Sequence, residues 1–204
     1  MRGYAAVIVS NIFFGLAIGM FLPLIPLRLD QQGTSALLIG VNAAASSCAI
    51  FFTGPFIGQV LRRAGYMGAL FGGAVLFAAG TIAMVLLPGY IAWTVLRFVA
   101  GLGMSVHWVA SESWLNAAAD ERERGRVLSI YVAAFIGGTA GGPLVLNLIG
   151  SAGDWPFYVI VLFSLLSALT ILPGRLGAPV FEPLARAAFA KVFRIAPRLM
   201  SAGL

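Results

Sequence analysis

Two charged side chains sit where charge is expensive. Arg97 and Glu112 fall inside or at the edge of one long apolar run, residues 90–115. A charge at the centre of a bilayer costs about 2.5–3.5 kcal/mol on insertion scales, so it faces a cavity or a partner. With about 100° per residue and Arg97 at zero, Gly101, Met104, Trp108, Ser111 and Glu112 all fall within about 60° of it. They predict a polar-tinged stripe facing the interior of a helix bundle. Glu112 lies about 22 Å farther along the axis, too far for an ion pair with Arg97. For Arg97 the chemistry on offer is contact with a substrate anion or a step in a proton relay. Its bland alternative is a structural arginine bonded to the carbonyls of a neighbouring helix. Glu112 suits a cytoplasmic gate, latched to Arg63 or Arg126. Asn11 and Asn42, in two earlier apolar runs, either line a cavity or bond helix to helix. His107 lies about 80° off the stripe and reads as a packing residue rather than a proton carrier.

Other chemistries lack their parts. His107 is the only histidine and Cys48 the only cysteine, which leaves no His/Cys set for a metal and no intrachain disulfide. There is no phosphate-binding loop, dinucleotide fingerprint or GxSxG. No nucleophile and base converge at one membrane face, so neither an enzyme nor a cofactor is expected.

The elements that must position these residues are read from hydropathy. Of 204 residues, 60% are hydrophobic and 10% charged, with mean hydropathy +0.97. A soluble domain carries roughly 25% charged residues, so lipid is the expected solvent. Six runs reach the length of about 20 apolar residues that a spanning helix needs: 4–27, 36–61, 66–87, 90–115, 127–150 and 155–173. Polar or turn-forming breaks separate them, among them Arg62-Arg63-Ala64-Gly65, Pro88-Gly89 and the DERERGR stretch from Asp120 to Arg126. The first run is too long for a signal peptide and reads as a retained helix.

The net charge of +6 belongs to orientation rather than to nucleic acid. With the N-terminus inside, Arg2, Arg62, Arg63, Arg122, Arg124, Arg126, Arg175, Arg186, Lys191, Arg194 and Arg198 face the cytoplasm, and only Arg28 faces out. Trp93, Trp155 and Tyr90 suit an outer aromatic belt; Tyr4, Tyr66 and Trp114 suit an inner one. The expected organisation is a transmembrane bundle over 1–175 and a cytoplasmic linker over 176–204. The linker carries a basic amphipathic helix between Pro183 and Pro197 and the opening of a further segment.

An offset of 88 residues lays Gly15 on Gly103, Gly54-Pro55 on Gly142-Pro143 and Gly65 on Gly153. Three spans per copy would give the two copies opposite topology, an inverted repeat. Glycine pairs four apart (Gly15/Gly19, Gly54/Gly58, Gly68/Gly72, Gly137/Gly141, Gly138/Gly142) predict close helix packing. Pro23, Pro26, Pro55 and Pro143 are expected to bend or interrupt their spans.

These residues resemble the N-terminal six-helix half of the major facilitator superfamily. The run Arg97 to Gly103 (RFVAGLG) is similar to the family's fourth-helix pattern, with Ala100 where glutamine is common; the resemblance implies a proton-coupling role for Arg97. Gly138-x-x-x-Gly142-Pro143 looks like the core of the antiporter motif, without its flanking glycines. GQVLRRAGYM (Gly58 to Met67) resembles the loop after the second helix, matching at Gly58, Arg63 and Gly65. Arg62 replaces that loop's aspartate, and Tyr66 and Met67 replace its basic pair. Within the superfamily the chain is most similar to the YcaD-like branch, through Arg97 to Gly101, Trp108, Glu112-Ser113 and Arg124-Gly125-Arg126.

The expected fold is therefore an all-α membrane protein of six transmembrane helices, arranged as two inverted three-helix repeats, half of a major-facilitator fold. The expected function is secondary, proton-coupled transport of small molecules by alternating access, one half of a two-half transporter in the inner membrane with both termini cytoplasmic. Arg97, Asn11 and Asn42 would serve substrate or proton, and Glu112, Arg63 and Arg126 the gate. Partners would be the bilayer, a small molecule and a second six-helix half. Two alternatives stand beside this: a non-transporting subunit of a larger membrane complex, and an inactive truncated fragment.

Overall fold

The computed structural model describes residues 2–172. The linker expected over 176–204 lies outside the described residues. The chain forms α1 (Arg2–Gln31), α2 (Ala36–Leu86), α3 (Tyr90–Ala118), α4 (Arg124–Ile149) and α5 (Trp155–Ile171). The second and third apolar runs are merged in α2, whose 51 residues are helical on either side of Gly65. At φ 66°, ψ 176° Gly65 occupies a region that only glycine enters readily. It divides α2 into a first arm, 36–64, and a second arm, 66–86. The break falls where Arg62 and Arg63 end the second apolar run.

Residues 4–31, α2 and α4 are long and apolar enough to cross a membrane, and α5 is a shorter apolar helix. Arg97, Ser105, His107 and several glycines dilute the hydropathy of α3. The prolines do not interrupt the helices that hold them: α1 runs through Pro23 and Pro26, α2 through Pro55 and α4 through Pro143. A proline frees the carbonyl four residues earlier, and a neighbouring helix can approach it. Here Thr139 O, freed by Pro143, lies against Gly19 of α1.

α1 packs on α4 and α5, α3 packs along α2, and α5 closes against α2. Two apolar clusters hold this together. One is built from Phe14, Phe21, Phe77, Trp93 and Phe157; the other from Leu61, Leu70, Trp114, Tyr131 and Ile171. Two of the five predicted glycine pairs, Gly15/Gly19 and Gly138/Gly142, meet the backbone of another helix. A Cβ on Gly15 would stand 2.7 Å from Phe135 O, and one on Gly138 2.5 Å from Ile12 O. Gly19 and Gly142 meet backbone just as closely. Gly54, Gly72 and Gly137 face open space, and Gly58 and Gly68 meet only atoms of their own helix. Gly73 and Gly103, unpaired in sequence spacing, make the α2–α3 crossing, with a Gly103 Cβ 2.6 Å from Gly73 O.

Hydroxyl groups stitch the helices. Ser10 of α1 bonds Ser167 of α5 at 2.8 Å, and Ser164 donates to Ala74 O at 2.8 Å. Contacts of this kind average about 0.6 kcal/mol in a membrane. The aromatic belts need correction. Trp93, Tyr66 and Trp114 lie on packed faces and are buried, and the Trp93 indole donates to Met84 O at 2.9 Å. Trp155 is exposed.

Candidate functional site

Arg97 is 2% exposed, two turns into α3 (Tyr90–Ala118). Asn42 and Ser46, one turn apart on the first arm of α2, face it. Arg97 Nη1 donates to Asn42 Oδ1 at 2.8 Å, and Nε reaches Ser46 Oγ at 3.4 Å. Asn42 is fixed in turn, its Nδ2 donating to Thr94 Oγ1 at 2.9 Å. The guanidinium carbon stands 5.7 Å from the centre of the Phe21 ring of α1, an attraction between cation and ring face. Gly101 allows this approach: a Cβ there would stand 2.9 Å from Ala49 Cβ and 3.0 Å from Ser46 Cα.

A guanidinium has five N–H donors, and these contacts use two. Among the described residues no carboxylate pairs with Arg97, and its remaining N–H groups have no hydrogen-bond partner. The arrangement holds a positive charge in a fixed orientation with donors to spare. Such donors match the chemistry of a carboxylate, a phosphate or another anion.

Arg97 and Asn42 are thus brought together, but Asn11 stands elsewhere. Its Nδ2 donates to Val7 O at 2.8 Å and to Ser111 Oγ at 3.0 Å, and Ser111 Oγ donates back to Asn11 Oδ1 at 3.3 Å. Ser111 lies about 21 Å along α3 from Arg97. Asn11 bonds α1 to α3. Ser46, Thr94 and Phe21 complete the Arg97 site. Ser46 was findable at four residues beyond Asn42, and Thr94 at three before Arg97. Phe21 carries no such signal, because its place depends on how α1 crosses α3.

The gate residues do not meet in this conformation. Arg63 and Arg126 are exposed. Glu112 accepts a hydrogen bond from the Trp108 indole at 2.9 Å, and among the described residues it has no ion pair with either arginine. The α3 stripe also divides. Arg97, Gly101 and Ser111 are buried, whereas Trp108 is 41% exposed. Off the stripe, His107 is fully buried; Nδ1 lies 3.0 Å from Leu70 O, and its ring is 3.9 Å from that of Phe14. A cavity of about 380 Å³ opens between the C-terminal ends of α1 and α4, beside Pro23, Pro143 and Asn147. It contains none of the candidate residues.

The sequence pattern of the Major Facilitator Superfamily matches residues 7–202. The chain belongs to this superfamily. Within it, this chain is 33% identical to the uncharacterized MFS-type transporter YcaD of Escherichia coli O45:K1 (strain S88 / ExPEC), a match covering 67% of this chain and 36% of that protein. YcaD of Escherichia coli O81 (strain ED1a) matches to the same extent. The YcaD-like character read from α3 and the start of α4 is borne out. Among solved structures, a mutant of peptide transporter POT in complex with sulfate superposes with a TM-score of 0.75 at 19% identity, covering 98% of this chain and 44% of that one. The xylose transporter XylE from E. coli, inward open, gives 0.69 at 19% identity, covering 87% and 48%. The chain spans little more than a third of the length of the curated relatives it matches. It is an integral membrane protein of a transporter family, which is not an enzyme family.

Proposed function

We propose that this chain is one half of a proton-coupled secondary transporter of small molecules, working by alternating access. The observation that carries the reading is Arg97: a buried guanidinium, clamped by Asn42 and Ser46, without a carboxylate partner among the described residues. A fixed cation inside a membrane is costly, and such charges mark substrate pathways and proton relays. A substrate carboxylate, or a carboxyl group that takes and releases a proton, fits that role.

The finer architecture follows the 88-residue offset. It lays the start of α1 (Arg2) on that of α3 (Tyr90), and the first arm of α2 (from Ala36) on α4 (from Arg124). The second arm, from Tyr66, falls on Asp154, one residue before α5. The packing of α1 on α4 then has its counterpart in α3 on the first arm of α2. That supports six spans in two inverted sets of three, and the arginine bias of the connecting segments supports cytoplasmic termini, in the inner membrane. The cytoplasmic gate of Glu112 with Arg63 and Arg126 would close in another conformation, one in which Glu112 leaves Trp108. If it does, the charge swap Glu112→Arg with Arg126→Glu restores uptake lost in either single variant.

The test is uptake into proteoliposomes with an internal pH dye. The chain is reconstituted with whatever second half co-purifies and screened first with short peptides and pentoses. Arg97→Gln should reduce substrate-driven proton movement to background while the complex keeps its native mass. Full activity in that variant would remove Arg97 from the mechanism. Stoichiometric recovery inside a larger, non-transporting assembly would replace the transport reading itself.

A further inference from the structure

Near the end of α3 opposite Arg97's half, four side chains form a second constellation. Trp108 and Glu112 lie one turn apart on α3; Tyr131 and Phe135 lie one turn apart on α4. The Trp108 and Phe135 rings are 5.0 Å apart at 53°. The Trp108 indole N–H holds one carboxylate oxygen, Glu112 Oε1, at 2.9 Å. Tyr131 is buried behind them, in the apolar cluster with Leu61 and Trp114. α3 and α4 touch only sparsely, and Trp108 is 41% exposed beside Phe135.

The chemistry is one-sided. Glu112 carries a negative charge with no cation partner among the described residues, and its walls are aromatic. Aromatic faces attract cations through their quadrupole and attract anions not at all. The indole N–H fixes the carboxylate without neutralising it. Among the described residues no second carboxylate or imidazole joins Glu112 in a metal-ligating set, which makes it a poor site for a hydrated metal ion. A cation with an apolar shell gains from both the charge and the rings.

From this geometry we propose that Trp108, Glu112 and Phe135, backed by the buried Tyr131, form a binding site for a small organic cation of the quaternary or aryl-ammonium type. The proposal rests on the transporter reading and adds a substrate class to it. The site is separate from Arg97, about 22 Å away along α3, so anion and cation chemistry occupy different levels of one helix. A cation seated here uses the carboxylate that the inner gate needs, so occupancy and latching exclude each other.

The test uses the full chain, labelled with 5-fluorotryptophan, in detergent micelles. Its four tryptophans give four fluorine resonances, and Trp108→Phe assigns one of them. Phenyltrimethylammonium should shift the Trp108 resonance saturably and leave buried Trp93 and Trp114 unmoved. Its neutral isostere tert-butylbenzene should give no saturable shift. Glu112→Gln should weaken cation binding about tenfold or more, and Phe135→Leu about threefold; unmoved Trp93 and Trp114 signals report that each variant is folded. Equal response to the neutral isostere, or binding unchanged in Glu112→Gln, overturns the proposal. A lost cation response with Arg97-dependent uptake intact overturns this site alone. The reverse result overturns the transport reading and leaves the site standing.

Discussion

The economy of the Arg97 site lies in its neutral partners. An arginine paired with a carboxylate is quenched; one held by an amide and a hydroxyl keeps its charge while losing its freedom. Asn42 therefore has a measurable duty. Asn42→Leu removes the acceptor at 2.8 Å, and hydrogen bonds to charged groups contribute about 1.5–3 kcal/mol. The variant should lose stability by that order in a denaturant titration in detergent, and an unchanged midpoint would show that Asn42 does not hold Arg97. Arg97→Lys keeps the charge but not the planar fork. It should retain the fold and lose at least about tenfold in uptake, because an ammonium has no fixed pair of parallel donors.

Among the helices, the distinction that matters is between glycines that meet backbone and glycines that do not. Gly142 lies against the backbone of Gly19 and Met20, whereas Gly54 faces open space. Gly142→Val should cost about 1–3 kcal/mol or more by forcing α1 and α4 apart. Gly54→Ala should be neutral or stabilise by up to about 1 kcal/mol, since alanine favours a helix. Equal effects of the two would mean that α1 and α4 do not cross at these residues. Gly65→Ala is a separate case, with nothing near enough to clash. Its cost, about 1–3 kcal/mol, comes from a backbone conformation that an L side chain resists. A loss well below that range would place the bend of α2 elsewhere.

At the scale of the molecule, two apolar faces lack a partner among the described residues. On the first arm of α2, Phe51 is 84% exposed, with Phe52 and Phe56 beside it, and on α4 Leu148 is equally bare. Lipid covers apolar surface in any membrane helix. A second six-helix half covering these faces would also complete a cavity that a single half leaves open. The expected result is a native mass, after correction for detergent, of two halves. Phe51→Ser combined with Phe52→Ser should weaken the pairing about tenfold or more, as substitutions at aromatic anchors do. A monomeric wild-type chain, or a mass indifferent to those two changes, would assign the faces to lipid alone.

The apolar runs, their breaks, the membrane class and the family were all legible in the sequence. Each depends on local composition: a helix in lipid satisfies its own backbone, so length and hydropathy locate it without knowledge of its neighbours. Arg97 was legible for the same reason, as a charge that has no business in such a run. Neighbours were not legible. Spacing marked Gly54/Gly58 and Gly15/Gly19 alike, yet only the second pair meets another helix's backbone. The wheel placed Trp108 on an inward stripe and His107 off it, whereas the bundle exposes the first and buries the second. Asn11 and Asn42 looked equivalent, and tertiary structure gave one to helix pairing and the other to Arg97. A helix's sequence determines which residues share a face. Which way that face turns is decided by the packing of every other helix against it, and that sum exists only in the folded bundle.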